Sequence, residues 1–413
     1  MKKRVSFSVR IMSLILTFLL LLTTIAGLGI TTASAKVYNR RDIAKSHLLS
    51  EGDIVNPGVT VQNLFIDLRV PEMRVYLNGN MIGDEDVVIP ERAVLMQKSI
   101  SGNTMNLLFE TIDSSSLYAD DFLKEELEQN EEITLTDDIL LKDTLKISDG
   151  KPHVINANGH SIYIDTGFVS VFVVENRSTL TINGLGDGDK KATVFGRGAL
   201  NGEEASAFRV NPNSKLILND VVIDGSSAKN GGGVLVTGGS VEMTGCTITN
   251  CTVNKKGGGL FADEASTVTL TNCTFDSNSA YDGGGIANFG TLTVTDCAVK
   301  SNTVRGGGAG IWSMGDATLS DSKIEQNTNA INGGGVTNHK NMTIKGCTIS
   351  GNSASSWGGG FFNESDGNTV IEGDTVIEGN TASEGAGIFH RQGKLSVTDT
   401  SILKNSAKTS GGL

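Results

Sequence analysis

This 413-residue chain has few aromatic residues, 5% of the total, and only 2 tryptophans. Beyond residue 131 no segment carries apolar residues at i, i+3, i+4 long enough to make a helix, which excludes helical solenoids and α/β folds for that region. The 5 cysteines are never spaced as C-x-x-C, so zinc-binding pairs are absent. A positive surplus is also missing. The chain has 34 basic and 46 acidic residues. Four of the basic ones (Lys2, Lys3, Arg4, Arg10) lie before residue 36, leaving 30 against 46, a net of −16. That balance argues against nucleic acid and anionic membrane surfaces as partners.

Glycine is abundant, 51 residues, and its placement is periodic. Gly-Gly-x-apolar occurs as Gly231-Gly232-Gly233-Val234, Gly257-Gly258-Gly259-Leu260, Gly283-Gly284-Gly285-Ile286, Gly333-Gly334-Gly335-Val336 and Gly358-Gly359-Gly360-Phe361. Looser copies are Gly308-Ala309-Gly310-Ile311 and Gly385-Ala386-Gly387-Ile388. A second motif runs in phase and ends in Asn278, Asn302, Asn327, Asn352, Asn380 and Asn405, each with an apolar residue three positions earlier. One rung before them, the Asn position holds Cys251. Alternating runs such as Val268/Leu270 and Leu292/Val294 lie between the motifs and read as strands with one buried face. A period of about 25 residues built of short strands and turns fits one coil of a parallel β-helix, stacked at ~4.8 Å per coil. The Asn column then makes an amide ladder, and the glycines supply positive φ or close backbone approach.

These two motifs resemble the repeat pair of chlamydial polymorphic outer-membrane proteins and, more broadly, the right-handed parallel β-helix superfamily, which includes adhesins and pectate-lyase-like enzymes. The resemblance covers residues ~220–413. It implies an all-β right-handed parallel β-helix, and it leaves function open because the fold hosts many.

Residues 1–35 read as a secretory signal: a basic start, an apolar stretch from Ile11 to about Ile30, and Ala33-Ser34-Ala35 as the cleavage site. A secreted or cell-surface location follows, with no membrane span in the mature chain. Residues 36–118 read as a small β-rich domain, sandwich-like, with a hairpin turn at Asn78-Gly79. Residues 119–131 are expected to form an amphipathic helix capping the first coil, and 132–413 the β-helix, about eleven coils. The chain stops within another Gly motif, Gly411-Gly412-Leu413, as a truncated solenoid would. The repeat at Val370–Asp374 is 28 residues long, and Glu372 falls where an apolar residue is expected; a bulge at Gly373 would absorb the difference.

Four cysteines (Cys246, Cys273, Cys297, Cys347) share one repeat position with Ser322, Thr375 and Thr400. This reads as a buried small-residue column, with only Cys246 and Cys273 placed to form a disulfide. The Asp column (Asp220, Asp296, Asp321, Asp374, Asp399) reads as turn chemistry rather than calcium binding, and His160 as a turn histidine. The resemblance implies that an enzyme of this superfamily would carry either a Lys or Arg base beside calcium-holding Asp residues or paired Asp residues with a Gly-His-Gly turn; neither is found, so no catalytic, metal or cofactor residue is assigned. The irregular stretch Asn183–Ala205 is where one would search. Alternation places Leu235, Phe261, Ala287, Trp312, Thr337, Phe362 and Phe389 on the outer face. Phe261, Trp312, Phe362 and Phe389 are the candidate ligand-contact strip, facing host or environmental glycans or surface proteins. The expected function is an adhesin-like binding protein without catalysis; the alternative is a polysaccharide lyase or glycoside hydrolase.

Overall fold

The computed structural model describes residues 37–411 with gaps, chiefly several short stretches before residue 60 and residues 63–71, 112–119, 165–168 and 197–204. Residues 1–35, expected to be a secretory signal, lie outside the described residues, as do Arg197, Glu203 and Glu204 of the irregular stretch. The chain divides into two units, Met1–Leu117 and Tyr118–Leu413.

In the first unit a six-stranded sheet and a three-stranded sheet share one core. Ala93–Ser101 and Thr104–Thr111 form an antiparallel pair at the centre of the larger sheet. Alternate residues (Leu95, Leu107, Phe109, Met73, Val75) point inward, the period-2 pattern of half-buried strands. Asn78 and Gly79 both adopt positive φ, the backbone that a two-residue hairpin requires. They join Glu72–Leu77 to Asn80–Gly83.

The second unit is an all-β parallel solenoid. It opens with a helix, Asp120–Gln129, whose Leu123 and Leu127 enter the solenoid core. Each later coil carries three main strands. In one coil these are Leu260–Ala262, Thr267–Thr271 and Thr274–Asp276, followed by the two-residue strand Ser279–Ala280. Strands pair in parallel with their equivalents one coil on, in register through this part of the solenoid: Leu260 with Ile286, Val268 with Leu292, Phe275 with Val299, Ser279 with Thr303. The result is a 19-stranded and an 11-stranded parallel sheet. Inward columns such as Val234, Leu260, Ile286, Ile311, Val336 and Phe361 fill a single continuous core.

The Gly motif divides its labour. The first glycine has positive φ, for example +68° at Gly257 and +60° at Gly333. The third has no room for a side chain: a Cβ on Gly335 would lie 2.6 Å from the Gly360 carbonyl oxygen. The middle position is as close to backbone, where a Cβ on Gly334 would meet the Gly359 carbonyl oxygen, yet in two coils it holds alanine, Ala309 and Ala386. The Asp column also sits in left-handed turns, Asp220, Asp296, Asp321, Asp374 and Asp399 all having positive φ.

The extra residues of the long repeat are absorbed at two places, one of them the expected turn. Against the preceding coil, two extra residues fall between Asn363 and Thr369, and one falls between Glu372 and Val376, around Gly373. Ile371 takes the core place and Glu372, opposite Lys345 in the register, turns outward. Both insertions lie between paired segments, so Ile344 with Ile371 and Ile349 with Ile377 stay in register.

Candidate functional site: an aromatic and charged stripe beside two amide ladders

The six ladder asparagines form one column. Asn278 Nδ2 donates to Asn302 Oδ1 at 3.1 Å, and the same bond repeats from Asn302 to Asn327, Asn327 to Asn352, Asn352 to Asn380 and Asn380 to Asn405. Each Oδ1 also accepts the backbone N–H of the preceding asparagine, as Asn327 Oδ1 does from Asn302 at 3.0 Å. Each Nδ2 reaches back to a carbonyl of the coil before, as Asn327 Nδ2 does to Val299 at 2.9 Å. Cys251 ends the column by donating its backbone N–H to Asn278 Oδ1. The other four cysteines are buried and free beside Ser322 and Thr375. Cys273 N–H donates to Cys297 Sγ at 3.3 Å.

A second polar column escaped the sequence reading. Val236 and Ala262 are followed in register by Asn288, Ser313, Asn338, Asn363 and His390. Asn288 Nδ2 donates to Ser313 Oγ at 3.0 Å, Asn338 Nδ2 to Asn363 Oδ1 at 3.1 Å, and Asn363 Nδ2 meets His390 Nδ1 at 3.0 Å. Its signal was present, a polar residue two places after the Gly-motif apolar residue, but it alternates with the aromatic column and was masked by it.

The aromatic column itself needs correcting. The pleat does place Phe261, Trp312, Phe362 and Phe389 opposite the core, but Trp312 is only 9% exposed and Phe362 1%. Neighbouring turns supply the cover. Trp312 packs against Phe289 at 5.2 Å and His339 at 5.6 Å between ring centres, and Lys256 Nζ sits 3.8 Å above its ring. Phe362 is closed in by Trp357 at 6.1 Å and Phe389 at 5.9 Å. Phe261, Phe289, Trp357 and Phe389 remain partly accessible, and Trp357 and Phe389 stack at 5.4 Å.

Charged groups link the two aromatic clusters. Lys256 Nζ pairs with Asp282 Oδ2 at 2.8 Å. His339 Nδ1 lies 4.0 Å from Glu364 Oε2, and Glu364 pairs with Arg391, which reaches the Trp357 ring. Burial pushes the His339 imidazole below its ordinary range, against the opposing pull of Glu364 and Asp282. The stripe therefore runs through six successive coils, from Lys256 to Arg391, about 24 Å at the normal strand spacing. Beside it lies a polar face. Thr269, Thr293, Thr318 and Thr343 stand in register, next to a shallow depression lined by Thr291, Asp316, Asn341 and Asn368. Burial works against the Asp316 charge, but hydrogen bonds from Lys340 and Asn341 outweigh it and hold the carboxyl below the usual range.

Elsewhere, His160 sits 3.6 Å from Asp138 in a turn. In the irregular stretch Lys191 pairs with Asp220 at 3.1 Å. Among the described residues no group of three or more His, Cys, Asp or Glu side chains is arranged to hold a metal ion, and no helix is long and apolar enough to cross a membrane.

Residues 200–339 match the family described as right handed beta helix region. The coil-on-coil topology makes the second unit a parallel β-solenoid, and the right-handed family model matches its middle coils. Metabotropic glutamate receptor-like protein R of Dictyostelium discoideum is 38% identical over 86 residues, 20% of this chain and 5% of that protein. The match thus spans a twentieth of the relative's length.

Proposed function

We propose that this protein is exported and acts as an adhesin-like binding rod at or outside the cell surface, without catalysis. The observation that carries the reading is the stripe: two partly accessible aromatic clusters, Phe261/Phe289 and Trp357/Phe389, joined by charged groups along six coils. Accessible ring faces flanked by hydrogen-bonding side chains suit sugar rings, which present apolar faces and polar edges. Asp282 and Glu364, the two carboxylates of the stripe, are each held in an ion pair. They belong to coils three apart, about 14 Å along the axis, wider than the ~5–9.5 Å of a glycoside-cleaving pair.

The rival reading, a polysaccharide lyase or glycoside hydrolase, draws on Lys256, Asp282 and His339 gathered around Trp312. One experiment separates the two. The purified mature chain is screened against a polysaccharide panel for both retention and cleavage. Retention that weakens in a Trp357→Ala, Phe389→Ala double variant, with no new reducing or unsaturated ends, supports the binding rod. Release of such ends by the wild type, lost in Lys256→Ala, establishes the enzyme.

A further inference from the structure

The turn that follows the two-residue strand carries a different chemistry. Backbone bonds stack this turn coil on coil: Lys255 N–H donates to the Lys229 carbonyl, Tyr281 N–H to the Lys255 carbonyl, and Arg305 N–H to the Tyr281 carbonyl. These bonds place Lys229, Lys255, Tyr281 and Arg305 in the same turn of four successive coils, within about one residue of a common register and about 4.8 Å apart along the axis from coil to coil. Lys255 and Arg305 are exposed, Lys229 is half-buried, and Tyr281 is 51% exposed. Among the described residues none of these three cations has an ion pair or side-chain hydrogen bond. The nearest carboxylate in sequence, Asp282, is taken up by Lys256. In a chain whose net charge is −12, three unpaired cations in one row around an exposed phenol are a local inversion of sign. An isolated surface cation is ordinary; a row held at fixed spacing by a rigid solenoid presents a linear array of donors without the entropy cost of assembling it.

We propose that Lys229, Lys255 and Arg305, with Tyr281 between them, form a binding ladder for a linear anionic glycan lying along the rod axis. Its carboxylate or sulfate groups would meet the cations and a sugar ring would lie on Tyr281. This rests on the binding reading above and names a ligand class for it, on residues distinct from the aromatic stripe. Sulfate and carboxylate are the same chemistry to these side chains, and the probes separate them.

Binding of the full mature chain to immobilised dextran sulfate, to polygalacturonate and to neutral dextran is measured at rising salt. One or both polyanions should be retained over neutral dextran, with affinity falling as salt screens the row. The triple variant Lys229→Gln, Lys255→Gln, Arg305→Gln should lose roughly tenfold or more, from about two- to fivefold per exposed contact. Its melting temperature should be unchanged, because among the described residues none of the three side chains makes an ion pair or hydrogen bond that the fold would lose. The Trp357→Ala, Phe389→Ala variant should keep its polyanion binding, so loss of the stripe reading and loss of the ladder give different results. The proposal is overturned if neither polyanion binds above neutral dextran, if the triple variant binds as the wild type does, or if a single-stranded oligonucleotide of matched charge binds more tightly than both glycans.

Discussion

Replacing Asn327 by alanine should be among the most damaging single truncations in the solenoid, although the side chain is small. Asn327 is fully buried at the middle of the ladder. Its Oδ1 accepts from Asn302 N–H and Asn302 Nδ2, and its Nδ2 donates to Val299 O and Asn352 Oδ1. Alanine removes all four bonds and lets in no water. Asn302 N–H loses the only acceptor it has in the column, and the Val299 carbonyl loses its side-chain donor. A buried group left short costs about 1–3 kcal/mol, and the broken amide–amide bonds add about 1 kcal/mol. With two groups left short, the total is about 3–7 kcal/mol. Asn405, the last rung, is only partly buried and supports a single following-coil bond fewer, so Asn405→Ala should cost less than half as much. Denaturant titration of both variants measures the difference, and hydrogen exchange at the Asn302 amide localises it. The argument fails if Asn327→Ala costs under about 1 kcal/mol, or if the Asn302 amide stays as protected as in the wild type.

Three further outcomes follow from the same structure. Phe362→Ala should destabilise by about 3–5 kcal/mol, the cost of emptying a buried aromatic site, while the half-exposed Phe389→Ala costs less; equal and small losses would mean that the cover over Phe362 is absent in solution. Because burial depresses the His339 imidazole, the unfolded chain binds a proton that the fold resists, so the stability that neutral His339 allows is present above the ordinary histidine value of 6.5 and is lost as pH falls through the lower folded value; comparing melting temperatures at pH 7.5 and 5.0, His339→Gln should show a smaller acid loss than the wild type, and an unchanged loss refutes the assignment. Burial and thiol neighbours push Cys273 up to about 12, with the contact to Cys246 the largest cause, and burial pushes Cys347 up to about 11. Native protein should therefore resist iodoacetamide at Cys273 and Cys347 at pH 8 and react at both once unfolded; rapid native labelling of either would contradict the buried column.

The coil and its stacking were legible because a solenoid writes each structural demand once per repeat. Glycine at the third Gly-motif position, asparagine at the ladder and apolar residues at Leu260, Ile286 and Ile311 recur for reasons that hold in every coil. What was not legible is whatever one coil does to its neighbour's side chains. Alternation correctly turned Trp312 and Phe362 away from the core, yet said nothing of what covers them: Lys256, Phe289 and His339 from other coils, and Trp357 just before the Gly motif. The Asn288–His390 column was hidden because Val236 and Ala262 begin it as an apolar column. The insertion between Asn363 and Thr369 was missed because Gly373, which takes up one extra residue, looked like the whole irregularity, while the pairing of Ile344 with Ile371 is what the core enforces.

The amide ladder also has a direction. In a coil that is complete but not yet covered, the Asn302 backbone N–H and Nδ2 both point towards a coil still to come, and the Phe275 carbonyl already holds Asn302 in place. One incoming amide oxygen satisfies both donors at once, and its own nitrogen then presents the same demand to the next coil. The growing tip is thus a template that recognises a single side chain at a single register. A coil slipped by one residue would offer it Gln326 or Thr328 instead of Asn327, and the vacancy would stay open. In a chain read from its N-terminus, such a ladder proofreads its own winding.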